Sequence, residues 1–192
     1  GSEMCIRDRD ERQQYYLENM KGSSDHILSL VNDLLDFQRL ESGEMEVHSV
    51  PFRVPVLFDE IYTSFQPIAE AKGLRFVLNL KPEETGQVYM GDPIRIRQVV
   101  GNLLSNAIKF TEAGRVVLLV SLQKLSAVHY QLSITVSDSG PGIPKEEQER
   151  IFGEFTRLAD TEEAEGFGLG LSITRKLLSL MNGTLALDST PG

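Results

Sequence analysis

Three segments of the sequence carry residues whose types and spacing suit a phosphate-bearing ligand. The first is QVVGNLLSNAIKF, in which Asn102, Asn106 and Lys109 follow one another at spacings of four and three residues. On a helix these spacings put the three side chains on one face. Amide oxygens can bind a hard cation such as Mg²⁺, and an ammonium group can hold phosphate oxygens. A solvated helix face with a capping asparagine is the alternative interpretation of this pattern.

The other two segments are rich in glycine. In DSGPGIP, which follows an apolar strand, Asp138 can accept a hydrogen bond from an exocyclic amine, and Gly140 and Gly142 let the backbone approach a ligand closely. An ordinary turn uses the same residue types. In GFGLGLSI, residues 166–173, glycines open a helix whose main-chain N–H groups can point at an anion. This segment lacks the GK[ST] of a Walker A loop and the spacing of a dinucleotide fingerprint, and by itself it is weak evidence.

The hydrophobic pattern predicts the helices and strands that must position these segments. Helices are predicted over 14–42, 56–72, 93–110, 145–152 and 169–181, and strands over 45–52, 74–80, 88–90, 116–122, 130–136 and 184–187. Asp92 and Pro93 supply the N-cap and the first-turn proline of the third helix. The order of elements indicates an α+β or α/β sandwich with helices on one face of a sheet. The apolar stripe of the 14–42 helix is wide and needs a bundle or another chain to cover it.

Composition excludes several classes of function. The chain has 192 residues with 28 Asp and Glu against 19 Lys and Arg, a formal charge of -9. This charge repels polyanions, so we expect neither nucleic acid nor an anionic membrane as a partner. The single cysteine, Cys5, excludes an intramolecular disulfide framework and a Cys-rich zinc site. We see no signal peptide and no apolar run near the about 18 residues that span a membrane.

Taken together and in order, the motifs resemble the Bergerat nucleotide-binding fold, most closely the catalytic ATP-binding domain of sensor histidine kinases. DPIRIRQVVGNLLSNAIKFTEAG resembles the N box of that family, DSGPGIP and GFGLGLSI its two glycine boxes, and IFGEF its phenylalanine box. The resemblance covers residues 45–191. In addition, SSDHILSLVNDLLDFQRLESGEMEV resembles the second helix of the dimerisation and phosphotransfer hairpin.

The resemblance implies a domain organisation. It implies an α+β fold, a two-layer α/β sandwich with a mixed sheet and helices on one face, preceded by one long N-terminal helix. Residues 1–13 would be an added tag or a disordered segment, 14–43 part of the dimerisation and phosphotransfer hairpin, and 44–192 the catalytic ATP-binding domain. We expect a cytoplasmic location for this chain, whether or not the parent protein is anchored to a membrane.

The implied function is that of a protein-histidine kinase. The γ-phosphoryl group of ATP would pass to a histidine and onward, by phosphorelay, to the receiver domain of a response regulator. The implied cofactors are ATP and Mg²⁺. The implied protein partners are a phosphoacceptor helix of the same family, the response regulator, and a second copy of the chain bound through the 14–42 helix.

The resemblance also assigns roles to individual residues. Asn106, assisted by Asn102, would bind Mg²⁺, and Asp138 would bind the adenine amino group. The implied catalytic residues are Asn102, Lys109 and Arg157. The implied nucleotide-binding residues are Asn102, Asn106, Lys109, Phe110, Asp138, Gly140, Gly142, Ile143, Phe155, Gly166, Gly168, Leu169, Gly170 and Leu171. Residues 145–165 would form a lid over the nucleotide.

Other activities on the same fold give different expectations. Gyrase and MutL-type ATPases carry a general-base Glu where Asn102 stands, and an amide has no basic site of useful pKa. We therefore favour phosphoryl transfer to a histidine over ATP hydrolysis. The fold alone is compatible with transfer to a serine, as in anti-sigma kinases, but the attached 14–42 helix argues against it. A degenerate nucleotide-binding scaffold is disfavoured because the motif residues are intact.

The sequence departs from the family pattern at the phosphoacceptor. That histidine precedes Glu or Asp and an Arg-Thr-Pro segment, which none of His26, His48 and His129 does. His26 lies in the second-helix match and is followed by Ile-Leu-Ser. We therefore expect the acceptor histidine on a helix outside this sequence, and no autophosphorylation by this chain. The final strand of the family is likewise expected after Gly192.

Overall fold

The structure is a computed structural model that describes residues 2–81, 87–156 and 168–191. The chain separates into two compact units, Gly1–Glu44 and Met45–Gly192. The first unit is formed by one helix, α1, over Ser2–Glu41. Among the described residues, no helix combines the length and the apolar character that a membrane span requires.

Helix α1 begins at Ser2, whereas the apolar pattern predicts a start at residue 14 after a tag or a disordered segment. The prediction of the helix start is wrong because the preceding residues include Glu, Arg, Gln and Met, which favour helix even without an apolar stripe. The helix ends at Glu41, as Ser42-Gly43 predicts. Gly43 has a φ of 70°, and the Glu44 N–H donates to the carbonyl of Arg39 at 3.0 Å.

The apolar stripe of α1 is exposed. Its exposed side chains include Leu17, Met20, Ile27, Leu28, Val31, Leu34 and Leu35. Burying one such side chain is favourable by about 1.5–3 kcal/mol. A second protein surface that covered this stripe would therefore gain substantial free energy.

The second unit alternates helices and strands. In chain order it contains β1 (Val50–Phe52), α2 (Val54–Ala71), β2 (Arg75–Leu80), β3 (Tyr89–Gly91), α3 (Pro93–Phe110), β4 (Arg115–Lys124), β5 (Tyr130–Asp138) and α4 (Gly170–Leu180), with a 3₁₀ turn at Arg150–Phe152. In the larger sheet, β4 lies between β2, to which it is parallel, and β5, to which it is antiparallel. Strands β1 and β3 form a separate antiparallel pair.

The core of this unit lies between the larger sheet and two helices. Alternate residues of β4, Val116, Val120 and Leu118, are fully buried and therefore share one face of the sheet. They cluster with buried side chains of α2 and α3, which include Phe58, Ile61, Val100 and Leu104. The prediction of an α+β fold with a mixed sheet and helices is confirmed.

Several predicted elements differ from the observed ones. Residues 145–152 form turns and a short 3₁₀ segment instead of a helix, and 184–187 do not form a strand. Strand β1 covers only the end of the predicted 45–52 strand. Helix α2 begins at Val54, two residues before its predicted start, because Pro55 is accommodated in the first turn, where a proline costs no hydrogen bond.

Candidate functional site

Helix α3 carries the Asn and Lys side chains, and both of its ends are fixed. At the start, the Asp92 carboxylate accepts hydrogen bonds from the N–H groups of Ile94 at 3.1 Å and Arg95 at 3.0 Å. At the end, the Lys72 ammonium group donates to the carbonyls of Ile108 and Lys109 at 2.8 and 2.5 Å. Carboxylate and ammonium complement the helix dipole at their respective ends. The predicted Asp92 cap is confirmed.

The Asn102 side chain joins α3 to the start of α4. Its Nδ2 donates to the carbonyl of Gly170 at 3.2 Å and to the Thr174 hydroxyl at 3.4 Å. A carbonyl can only accept a hydrogen bond, so this contact determines which side-chain atom is the nitrogen. The amide oxygen of Asn102 therefore points away from Gly170. Asn106, one helical turn further along α3, is half-buried.

The turn after β5 is tied to the start of β4. The Ser139 hydroxyl accepts a hydrogen bond from the Arg115 N–H at 2.9 Å, and the Ser139 N–H donates to the Arg115 carbonyl at 3.1 Å. Asp138 is exposed, and its Oδ1 accepts from the Gly140 N–H at 2.9 Å. This arrangement holds the carboxylate at the strand end, as the sequence predicts, with its side chain accessible.

The C-terminal end of α3 lies beside this turn. A Cβ atom placed on Gly140 would stand 3.3 Å from the Phe110 carbonyl oxygen and 3.3 Å from the Thr111 hydroxyl oxygen. Helix α3 therefore contacts the first glycine motif near Phe110 and the second through Asn102. These positions are about 12 Å apart along the helix. One elongated ligand along this helix could contact both motifs.

Gly142 approaches the end of the described chain closely. Its φ is 72°, and a Cβ at this position would stand 2.1 Å from the Thr190 carbonyl oxygen. The Ile143 N–H donates to the Ser189 hydroxyl at 2.9 Å, and the Gln148 side-chain amide donates to the carbonyls of both residues at 2.9 Å. Residues 189–190 thus contact the first glycine motif at Gly142 and Ile143.

The second glycine motif is described from Gly168 onward. Gly168 has a φ of 71°, and a Cβ there would stand 2.4 Å from the Thr156 carbonyl oxygen. Leu169 is buried, and its carbonyl accepts from the Ser172 hydroxyl at 2.8 Å. Gly170 is the first residue of α4, and Leu171 follows it in the same first turn. This motif does open a helix, as the sequence predicts.

Of the remaining predicted site residues, the structure describes Lys109, Phe110 and Phe155. The Lys109 ammonium group lies 5.2 Å from the centre of the Phe110 ring, within cation–π range. Phe155 is 58% exposed and has a φ of 56°, which is uncommon for an aromatic residue. Gly166 and residues 157–165 of the predicted lid, which include Arg157, lie outside the described residues, so their roles stay predictions.

Three contributors to the site were missed by the sequence analysis. Lys72 caps a helix 36 residues away in sequence, and no local pattern marks such a contact. The Ser189 hydroxyl accepts a hydrogen bond from the Ile143 N–H, 46 residues away in sequence. The residue types of neither segment indicate this contact. A third, Thr111, could have been suspected because it directly follows the Asn and Lys helix. It is fully buried.

A surface groove lies elsewhere on the second unit. It has a volume of about 510 Å³, is lined by β1, α2 and the start of α3, and contains none of the predicted site residues. Within the described ranges, no group of three or more His, Cys, Asp and Glu side chains is placed to hold a metal ion. Any cation at the Asn face would therefore depend on amide and ligand oxygens.

Two protein-family models match the chain. The model described as histidine kinase-, DNA gyrase B-, and HSP90-like ATPase matches residues 91–192, which include α3 and both glycine motifs. The model described as His Kinase A (phospho-acceptor) domain matches residues 2–43, which correspond to α1 and its end.

Curated proteins and a solved structure are similar over nearly the whole chain. The signal transduction histidine-protein kinase BarA of Escherichia coli strain K12 is 38% identical over 182 residues, 93% of this chain and 20% of BarA. The sensor protein GacS of Pseudomonas syringae pv. syringae is 37% identical over 183 residues, 94% of this chain and 20% of GacS. The crystal structure of full-length ShkA in complex with AMPPNP is 34% identical, with a TM-score of 0.71 over 89% of this chain and 34% of ShkA. The chain thus spans about a fifth of the length of the curated relatives it matches.

Proposed function

Because this chain belongs to the histidine kinase-, DNA gyrase B-, and HSP90-like ATPase family, we propose that its unit Met45–Gly192 binds ATP and Mg²⁺ and transfers the γ-phosphoryl group to a histidine. The observation that carries this proposal is the position of α3, which contacts the first glycine motif near Phe110 and the second at Gly170. An elongated nucleotide would lie along this helix, with its base at one motif and its phosphates at the other.

The adenine end of the site is proposed at Asp138. Its carboxylate is exposed, ends β5 and is held by the Gly140 N–H. A carboxylate accepts hydrogen bonds only, and the exocyclic amine of adenine donates them. A guanine carries a carbonyl at the corresponding position and would be rejected. ATP also fits the ShkA likeness, since that relative was crystallised with AMPPNP.

The donor set near Asn102 fits a hydrated Mg²⁺ ion. The Asn102 nitrogen is bound to Gly170, and its amide oxygen is the atom that faces away. Asn106 offers a second amide oxygen on the same helix face. Oxygen ligands are those that Mg²⁺ prefers, and this ion usually keeps several waters and substrate phosphates. When bound, the ion would neutralise phosphate charge.

The residues of the chain would act by positioning and charge compensation. Lys109 would contact phosphate oxygens as a point charge, and Arg157 would add a second cation from the proposed lid. The N-terminus of α4, opened by Gly170, offers main-chain N–H groups to the same anion. The P–O bond to ADP would break as a P–N bond forms to the acceptor imidazole.

Histidine phosphorylation is favoured over ATP hydrolysis by the chemistry of Asn102. Hydrolases of this family need a base that takes a proton from water, and a side-chain amide has no such site. In addition, the Asn102 nitrogen already donates hydrogen bonds to the Gly170 carbonyl and the Thr174 hydroxyl. We therefore propose that the side chain orders α4 through its nitrogen and binds a cation through its oxygen.

The proposal extends to partners through α1. The match of residues 2–43 to a His Kinase A domain and the exposed apolar stripe support pairing of α1 with a second copy of the chain. BarA is named as a signal transduction histidine-protein kinase, and we propose that the phosphoryl group passes onward to a response regulator. Since ATP is the donor, we place the reaction in the cytoplasm.

One experiment tests the transfer. The chain is incubated with γ-labelled ATP, Mg²⁺ and a separately supplied acceptor helix from a His Kinase A domain. We expect ATP-dependent, acid-labile label on the acceptor and none on the chain. An acceptor helix with its histidine changed to Gln is the matched control. Steady ATP turnover without labelled acceptor would instead indicate a hydrolase, and ATP binding without either product would indicate a scaffold.

A further inference from the structure

Thr111 has a buried hydroxyl group for which the described part of the chain offers no hydrogen-bond partner. The residue is fully buried and caps the C-terminal end of α3, where its N–H donates to the Ala107 carbonyl at 3.1 Å. An unpaired buried hydroxyl destabilises a fold, whereas a valine of the same shape would avoid that cost. The hydroxyl therefore points to a role that the ligand-free fold does not fulfil.

The surroundings of Thr111 connect it to Asp138. The position of a Cβ on Gly140 stands 3.3 Å from the Thr111 hydroxyl oxygen and 2.8 Å from Oδ1 of Asp138. Both oxygens thus lie around one point at the Gly140 backbone. The two oxygens are therefore no more than about 6 Å apart, a gap that a single bridging water or a rotation of the carboxylate can close. A hydroxyl donates and a carboxylate accepts, so the two groups are chemically matched.

We propose that Thr111 is a positioning residue for base recognition, which donates a hydrogen bond to the Asp138 carboxylate, directly or through one water, when adenine is bound. The inference rests on the function proposed above. The Gly140 N–H already holds Oδ1 of the carboxylate at 2.9 Å. A second donor, from the side of α3, fixes the plane of the carboxylate, so that its remaining lone pairs face the exocyclic amine. Thr111 therefore sets the preference for adenine over guanine without contacting the base.

The test compares Thr111→Val and Thr111→Ser with the unchanged chain. Dissociation constants for ATP and GTP are measured by calorimetry in the presence of Mg²⁺, and the melting temperature of each variant is recorded. We expect Thr111→Val to weaken ATP binding about tenfold, the loss of one hydrogen bond to a charged group, and to leave GTP binding unchanged. Thr111→Ser restores the hydroxyl and the ATP affinity. The matched control is Thr63→Val, which removes an exposed hydroxyl that donates to the Asp59 carbonyl at 2.8 Å.

A purely structural role for Thr111 gives a different pattern. It would leave the ATP to GTP preference unchanged while the melting temperature shifts, and this result would overturn the inference. Equal ATP affinity in Thr111→Val and the unchanged chain would do the same and leave the proposed function intact. Absence of ATP binding by the unchanged chain would overturn both. If Thr111→Val does not fold, Thr111→Ala against Thr111→Ser provides the same comparison.

Discussion

The Nδ2 atom of Asn102 donates to the carbonyl oxygen of Gly170 at 3.2 Å, which joins the third helix of the chain to the start of the fourth. The contact spans 68 residues of sequence. It has two consequences: the amide oxygen of Asn102 is oriented away from α4, and the first turn of α4 has a fixed position on α3. The same side chain therefore fixes the start of the glycine-motif helix, and its oxygen is left for the cation that we propose.

Asn102→Ala is expected to reduce phosphoryl transfer by more than tenfold with only a modest loss of stability. The variant loses the Nδ2 bonds to Gly170 and Thr174 and the oxygen ligand, while neutral hydrogen bonds of this kind contribute about 0.5–1.5 kcal/mol each. Labelling of the supplied acceptor helix and thermal melting measure the two effects. Asn79→Ala, on the exposed side of β2, is the control. Unchanged transfer in Asn102→Ala would contradict the role given to this residue.

Asp138→Ala is expected to abolish measurable ATP binding. The variant removes the acceptor proposed for the adenine amine and leaves the Gly140 N–H without its 2.9 Å partner. Calorimetry with ATP and Mg²⁺ is the measurement. Asp59→Ala, which changes another exposed aspartate on α2, should bind like the unchanged chain. An ATP affinity in Asp138→Ala equal to that of the unchanged chain would refute the adenine assignment.

Gly142→Ala is expected to destabilise the second unit by about 2 kcal/mol or more. A residue that carries a Cβ loses about 1–2 kcal/mol of stability at a φ of 72°. At this position the Cβ would also overlap the Thr190 carbonyl oxygen, which would stand 2.1 Å away. Gly73→Ala is a matched control, because Gly73 has a φ of 73° and nothing within 4 Å of its Cβ position. Urea unfolding of both variants separates backbone strain from steric overlap. Equal destabilisation of the two would show that the contact with Thr190 is unimportant.

Local sequence signals predicted the pieces of the site, and distant contacts explain what they missed. Asp92 is predicted as an N-cap because the N–H groups that its carboxylate accepts from lie within the next three residues. The start of α4 at Gly170 is likewise predicted from adjacent residues, the glycines of GFGLGLSI. In contrast, the Lys72 cap of α3 and the hold of Ser189 on the first glycine motif join segments far apart in sequence. Such contacts depend on how the sheet is ordered, which apolar periodicity does not encode.

The predicted strand over 184–187 illustrates the same limit. The alternation of Thr, Leu, Ala and Leu is typical of a half-buried strand. A strand also needs a partner that pairs with its backbone, and β-propensity mainly reflects packing against neighbours. In the described structure these residues stay irregular, while the nearby Ser189 accepts hydrogen bonds from the Ile143 N–H of the first glycine motif through its hydroxyl and from the Gln148 side-chain amide through its carbonyl.

Substitution of Leu34 and Leu35 by Glu is expected to abolish self-association of the chain. Both side chains belong to the exposed apolar stripe of α1, and charges there would oppose burial against a second copy. Light scattering over a concentration series measures the mass of the unchanged chain and of the double variant. The control is Gln38→Glu, which adds a charge at an exposed position of the same helix without removing an apolar group, and which should associate like the unchanged chain. A monomeric unchanged chain at all concentrations would contradict pairing through α1.

Asp33→Asn is expected to stabilise α1 at neutral pH and to change the pH dependence of its melting. Burial, and secondly the Asp36 carboxylate, raises the pKa of Asp33 above its ordinary value of 3.8. The folded state therefore binds this proton more tightly than the unfolded chain does. The contribution of Asp33 to stability is most favourable below the ordinary value and is lost as the pH rises through the raised pKa.

The measurement for Asp33 is loss of helical circular dichroism on heating, at several values between about pH 3 and pH 7. The melting temperature of the unchanged chain should fall relative to that of Asp33→Asn as the pH rises from 3.8, and the difference should become constant above the raised pKa. Because other carboxylates titrate in the same range, only the difference between the two proteins is informative. Glu41→Gln, at the end of the same helix, controls for the removal of one negative charge. If the two melting curves stay parallel throughout, the Asp33 carboxyl does not carry the raised pKa in the folded protein.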